Sequence, residues 1–540
     1  MMALAAAATA GLARAEQAAD ARLQKTAGPV KLTYTMPLDG FATLVIENEQ
    51  GIRVRNLIGG APRAKGEQTD YWDCTGEDGK PVAPGKYRFR GLLHKGIEPV
   101  LEASYGPPAA PPKEGWHAVA DPDDKTRVFA AGTEFKLDYA AGKATVVAGD
   151  LPAPAGQLIK AKGREYILTR NGRLFLRTGK TAKLVAAVDA FMWREAKSFS
   201  EFPVADTVEW EANGDPSGHH WLCSTSFLWS DLNDDGKAQP EETIAGSCHK
   251  KLGDWQFPIA FPPDITKPHT VPPGGMRDCG LDENFNLYTF GIECDGYGPG
   301  QGPLVVRFPF KGWTPGGAPI WDTKNQKLLG GAKKAGFYDG GLVNIDETSS
   351  LVLPNGKVLF SKGRAEIFTL ASIHVAAEGT VVVGPPLACL RDDGTVLWTY
   401  KDDWSGMLFW NSDAPLSDRD DVILGPLSSI GSAKTAVGTV FALQTLWGRM
   451  HLMTVDGLFV ASVFQDFRRP NSAWPADAKP GTAVGGVSMG RDWSGGCFFK
   501  TTKGSEYYVI AGSAACNVIK LNGLDSLQAI KGGELTVTAR

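Results

Sequence analysis

The chain lacks most of the signatures that would assign it a reaction. No C-x-x-C occurs among its eight cysteines, which argues against zinc ribbons, thioredoxin-type redox sites and c-type haem attachment. There is no H-E-x-x-H metalloprotease motif. The glycine-rich "YGPGQGP" at 297–303 does not sit between a strand and a helix, so it is no phosphate loop. Charge is nearly balanced, with 56 Lys and Arg against 60 Asp and Glu. Without a basic stripe, nucleic acid is not an expected partner. No segment is apolar for long enough to span a bilayer as a helix.

What is abundant points to β-structure. The 540 residues include 64 Gly, 35 Pro and 15 Trp, the composition of short strands joined by turns. The opening residues, "MMALAAAATAGLARAEQAAD", carry an apolar run ending in Ala13-Arg14-Ala15. That is a signal-peptide pattern over 1–15, and it predicts a secreted or periplasmic protein. Disulfides are then permitted. Cys279 with Cys294, and Cys497 with Cys516, flank polar turns and are candidate hairpin bridges; Cys223 and Cys248 bracket a polar loop. The alternative is that the cysteines pack as buried thiols.

Residues 30–97 read as one small β-sandwich. The stretch "TDYWDCTGEDGKPVAPGKYRFRGLL" carries turns at Gly76–Gly79 and Pro84-Gly85. Its Trp72, Asp73, Gly79, Gly85 and Tyr87 resemble the pattern of the Ig-like domain of bacterial flagellar hook-capping proteins, with Cys74 where that family usually has Gly. The resemblance covers only about 65 residues and implies a spacer module without chemistry. Residues 98–115 contain five prolines and read as a stiff linker.

From 116 to 535 the chain keeps a rhythm of short alternating strands. Asn171-Gly172, Asn355-Gly356, Asp393-Gly394 and Asp456-Gly457 are hairpin turn signals. Two segments are internally related, "GGMRDCGLDENFNLYTFGIE" and "VSMGRDWSGGCFFKTTKGSEYYVIAG". Four-strand units at this spacing predict a β-propeller of six to eight blades. The turn style resembles the NHL and quinoprotein-like propellers, at the level of fold. Two or three β-sandwiches in series are the competing architecture. The expected fold class is therefore all-β, a small Ig-like β-sandwich followed by a β-propeller.

The most specific signal is "WSDLNDDGKAQPEE". Asp231, Asn233 and Asp235 offer side-chain oxygens at positions 1, 3 and 5 of an EF-hand-type loop. Gly236 supplies the turn, Lys237 a backbone carbonyl, Gln239 position 9 and Glu242 the final carboxylate. The flanking sequence is strand-like, so no opening and closing helix pair is expected. The loop resembles the calcium loops of exported modules such as dockerins, without their paired repeat. It predicts bound calcium over 231–242, against the plainer reading of a solvated polar turn.

Other candidates are weaker. Arg277-Asp278 and Arg491-Asp492 occupy matching places in the two related segments, where they either line the channel or knit blades. His219 and His220 are adjacent before a strand, and they could join His117, His249, His269, His374 or His451 in a metal site, although no two have ligand spacing. Trp255, Tyr297, Trp313, Trp321, Trp404, Trp410 and Trp493 are candidates for stacking on sugar rings, or for core. The leading expectation is an exported protein binding an extracellular polysaccharide or small sugar-like ligand. The alternatives are a propeller lyase or hydrolase using Arg277, Asp278, Arg491, Asp492, His219 or His220, and a quinoprotein dehydrogenase, which lacks a vicinal cysteine pair to support it.

Overall fold

The structure is a computed structural model. It describes residues 29–105, 118–191, 225–247, 279–291, 304–331, 349–352, 358–361, 387–390, 396–400, 427–490, 496–511 and 516–538, apart from a few positions within them. The expected signal peptide lies outside the described residues.

Apart from one parallel bridge, the described sheets are built from antiparallel neighbours, and helix among the described residues is confined to 3-10 turns. The N-terminal unit is a sandwich of two sheets. Val30–Met36 pairs with Gly66–Trp72, and opposite them lie Arg53–Arg63, Gly40–Asn48, Gly85–His94 and Gln528–Val537. Alternation explains the layering: Leu32, Tyr34 and Met36 point inward from the first strand while their neighbours are exposed. They meet Leu44, Ile46, Trp72, Phe89, Leu535 and Val537 in one core. Trp72 is fully buried, meets Tyr87 edge-on, and donates its indole N–H to the Thr75 carbonyl. Cys74 adopts φ 62°, the left-handed region, which accounts for Gly being the easier residue at such a turn.

The propeller comprises six blades among the described residues. Blade one is Ala118–Asp121, Asp124–Ala130, Thr133–Asp138 and Lys143–Ala148. Blade two is Ala155–Ala161, Arg164–Thr169, Arg173–Thr178 and Thr181–Phe191, extended by Thr225–Ser230 and Thr243–Ser247. Blade three is Cys279–Leu281, Leu287–Gly291, Leu304–Phe308 and Lys327–Gly331, with a small hairpin, Phe310–Trp313 and Pro319–Trp321, inserted before its last strand. Blade four is Ser349–Val352, Val358–Ser361, Leu387–Leu390 and Val396–Tyr400. Blade five is Leu427–Thr435, Gly438–Thr445, Met450–Thr454 and Phe459–Val463. Blade six is Gly496–Lys500, Tyr507–Ala511, Cys516–Asn522 and, from the other end of the chain, Glu98–Tyr105.

The ring closes through first strands. Those of blades one and two, three and four, four and five, five and six, and six and one are in contact. Blades two and three are joined where the Gln157 amide donates to the Leu281 carbonyl and accepts from the Leu281 N–H. Blades five and six even share a parallel bridge, Gly431 to Phe498. A Cβ on Gly431 would fall 2.5 Å from the Phe498 carbonyl oxygen, and its φ is +125°, so only glycine allows this approach. Both internally related segments lead into the first strand of a blade, Cys279–Leu281 in one case and Gly496–Lys500 in the other.

Three expectations need correction. Residues 98–105, read as the start of a linker, form a strand, because Leu101, Ala103 and Tyr105 turn inward in alternation with Glu102 and Ser104 and complete blade six. Residues 528–537 belong to the sandwich and not to the propeller, because Ile530, Leu535 and Val537 fill its core. The sandwich is also no detached spacer: Val45 and Leu92 share a core with Leu101, Val460, Val484, Ile519 and Leu524 of the propeller side.

The last link is a buried ionic cluster. Glu47 accepts hydrogen bonds from Arg88 at 2.8 Å and from Arg90 at 2.8 Å, with Arg53 3.7 Å away. Arg53 and Arg90 reach across to the blade-five turn, donating to the Asp456 carbonyl at 2.8 and 3.0 Å, and Arg53 also to the Gly457 carbonyl at 2.8 Å. Arg90 also pairs with the Asp456 carboxylate. Burial would raise the Glu47 carboxyl, but Arg90, Arg53 and Arg88 overcome that and hold it below its ordinary range. Arg53 is itself pulled down to about 10 by burial and then by the Arg90 charge.

Candidate metal centre

The loop between Thr225–Ser230 and Thr243–Ser247 is where the sequence's acidic residues converge. Asp231 leaves the strand with its N–H bonded to the Val185 carbonyl at 3.0 Å, which buries it completely. Its Oδ1 accepts from the Gly236 N–H at 3.0 Å. Asn233 Oδ1 accepts from the Asp235 N–H at 2.9 Å, and Asp235 Oδ1 from the Lys237 N–H at 2.8 Å. These short-range bonds fold the loop inward, helped by the positive φ of Asp234 and Gly236. A 3-10 turn, Pro240–Glu242, brings Glu242 back under it. Glu242 accepts from the Asn233 N–H at 2.7 Å and from the Trp229 indole at 3.2 Å.

One carboxylate oxygen each from Asp231, Asp235 and Glu242 lies within 4.8 Å of the others. By loop spacing the Asn233 amide and the Lys237 carbonyl are the further oxygen donors that a hard divalent cation would need. Asp231 Oδ2 is buried and receives no hydrogen bond. Lys183 Nζ stands 2.7 Å from it, but off the direction a hydrogen bond needs, so the contact is ionic. The residues present therefore fit calcium. The Lys237 N–H and the amides of Gln239 and Asn233 hold the Asp235 carboxyl below its ordinary value.

Two residues that loop spacing did not single out matter here. Asp234 points away from the cluster and accepts from Thr314 Oγ1 at 2.6 Å and the Gly316 N–H at 2.8 Å, clamping the loop to the inserted hairpin of blade three. Tyr166 Oη and Arg164 add bonds to the Gly317 and Pro315 carbonyls on the same seam, both at 2.9 Å. Lys183, on the neighbouring strand of blade two, also donates to the Asp234 carbonyl at 3.0 Å. Asp234 was legible as a further acid within the motif; Lys183 carries no sequence signal.

The remaining candidates divide. Arg277, Asp278, Arg491, Asp492, His219 and His220 lie outside the described residues, as do Trp255, Tyr297, Trp404, Trp410 and Trp493. Trp321 is core, its indole bonded to the Phe285 carbonyl at 3.0 Å, and Trp313 packs on Phe285 and Phe310. His451 is fully buried with Nδ1 2.7 Å from Ser462 Oγ. Burial, then the Arg449 charge, depresses it to about 3. The proposed Cys497–Cys516 bridge is absent. Cys497 faces Ile510 and Cys516 faces Tyr105, so a whole strand separates them. Cys74, Cys497 and Cys516 are thiols, and burial pushes Cys516 up to about 12. Cys279 faces Thr289; Cys294, Cys223 and Cys248 lie outside the described residues. Among the described residues no helix is long and apolar enough to cross a membrane.

No family model and no curated protein matches the chain. Among solved structures, one similar chain is in the crystal structure of BBS1N in complex with ARL6DN, soaked with lead: 7% identity, TM-score 0.30, covering 78% of this chain and 97% of that one. Another is Sqt1 of Saccharomyces cerevisiae, at 8% identity and TM-score 0.32, covering 78% of this chain and 98% of its own. The fold assignment rests on strand pairing and ring closure: the chain is an all-β protein in which a small sandwich is built onto a β-propeller.

Proposed function

We propose that this protein is an exported β-propeller that binds an extracellular polymer, with a glycan as the leading class, and that calcium in the 231–242 loop stiffens the seam between blades two and three. The carboxylate triad of Asp231, Asp235 and Glu242, with its buried oxygen lacking a hydrogen bond, carries the reading. Buried carboxylates are costly unless cations compensate them, and Lys183 is paired with only one of the three. Asp234 ties the same loop to blade three, so a cation here orders two blades at once. A shared core between sandwich and propeller supports a rigid binding platform. Calcium is plentiful outside cells, so a weak static site suffices there.

The test has two arms. Chelator should lower the melting temperature of the wild type, calcium should restore it, and Asp231→Ala should abolish the difference. Identical melting with and without calcium refutes the calcium part. Saturable retention on a glycan array with no product supports binding; release of shortened or unsaturated sugar products would instead favour the lyase or hydrolase reading.

A further inference from the structure

The calcium loop already holds a cation of its own. Lys183 Nζ lies 2.7 Å from Asp231 Oδ2 and donates to the Asp234 carbonyl at 3.0 Å. Asp231 is the most deeply buried acid of the triad, and Oδ2 is its oxygen left without a hydrogen bond. A calcium ion held by Asp231, Asp235 and Glu242 would be brought against the ammonium, and two cations do not share one buried carboxylate oxygen. The lysine has somewhere to go. Its side chain is 40% exposed, and its stem runs past Gly236, where a Cβ would already touch Cε at 3.4 Å. Swinging the head group into water costs little for a long, flexible, strongly hydrated ammonium.

We propose that Lys183 is a tethered counter-ion that holds the loop in its metal-free form and is displaced when calcium enters, so that it sets the affinity of the site. This rests on the calcium reading above. A tethered competitor acts at high effective concentration, so it weakens calcium binding without occupying a ligand position of its own. It also keeps the loop folded when the metal is gone, because the buried Asp231 charge is never left uncompensated. The site becomes a weak, reversible clamp and not a permanent metal staple.

Calorimetric calcium titration of the full chain tests this, on the wild type, Lys183→Gln and Lys183→Arg. Lys183→Gln removes the charge and should bind calcium about fivefold more tightly, the upper end of the gain from losing an ion pair with one partly exposed partner. Lys183→Arg keeps the charge and should stay close to the wild type. Melting in chelator gives an independent readout: Lys183→Gln should melt lower than the wild type without calcium and recover with it. Equal calcium affinity in wild type and Lys183→Gln overturns the displacement proposal while leaving calcium binding intact. Absence of calcium binding by wild type and by both variants overturns the calcium reading itself, and the role of Lys183 with it.

Discussion

Replacing Glu47 with Gln should loosen the joint between sandwich and propeller. The change is nearly isosteric, so packing is kept and only the charge is lost. Glu47 is 3% exposed and is the counter-ion of Arg53, which is 2% exposed. Arg53 keeps its bonds to the Asp456 and Gly457 carbonyls and to Asn56, but these neutral oxygens do not compensate its charge. Removing one partner of a buried pair costs about 3–5 kcal/mol. Arg88 and Arg90 are more exposed and can turn to solvent, which places the expectation near the lower end, about 3 kcal/mol. Arg88→Ala is the control. With 55% of its side chain in water, Arg88 should contribute less than about 1 kcal/mol. Urea unfolding followed by tryptophan fluorescence reads both variants. If Glu47→Gln unfolds within about 1 kcal/mol of the wild type, or if Arg88→Ala costs as much, the cluster is not what fastens the two units.

Stability should also fall on the acid side. His451, depressed to about 3, stays neutral in the fold while the unfolded chain takes up a proton near pH 6.5, so stability is complete above that pH and declines below it. The loss should reach roughly 2 kcal/mol by pH 5 and shrink in His451→Gln, as measured by denaturation across pH 5–7. Gly457→Ala should destabilise by about 2 kcal/mol or more, because its φ is +77° and a Cβ would lie 2.4 Å from the Trp398 ring; thermal unfolding checks it. Truncation after Leu527 removes Ile530, Leu535 and Val537 from the sandwich core, on the order of 5 kcal/mol of burial. Limited proteolysis should then cut within residues 53–90, and continued resistance there would contradict the role of the last strand.

Local signals carried most of the fold. The turn at Asp456-Gly457 joins two strands of blade five as its dipeptide predicts, and Gly457 takes the positive φ that makes the dipeptide informative. The inward turn of the 231–242 loop was legible for the same reason: its bonds run between residues two to five apart. Long-range partners were not. Lys183 meets Asp231 only because blade two places their strands side by side. The Cys497–Cys516 bridge failed on register: counted from the turn near Thr502–Ser505, the residue opposite Cys497 is Ile510. Prolines after Tyr105 suggested a linker and masked the alternation that makes 98–105 a strand.

The exchange of end strands has a consequence for assembly. Glu98–Tyr105 is made long before its partner Cys516–Asn522. Gly85–His94 likewise waits for Gln528–Val537. Neither the ring nor the sandwich can close until these distant partners are available. Contacts this distant in sequence make closure slow, and until then two sheet edges stay open to mispairing. A chaperone that shields those edges should therefore raise the folding yield more than one that acts on the finished blades.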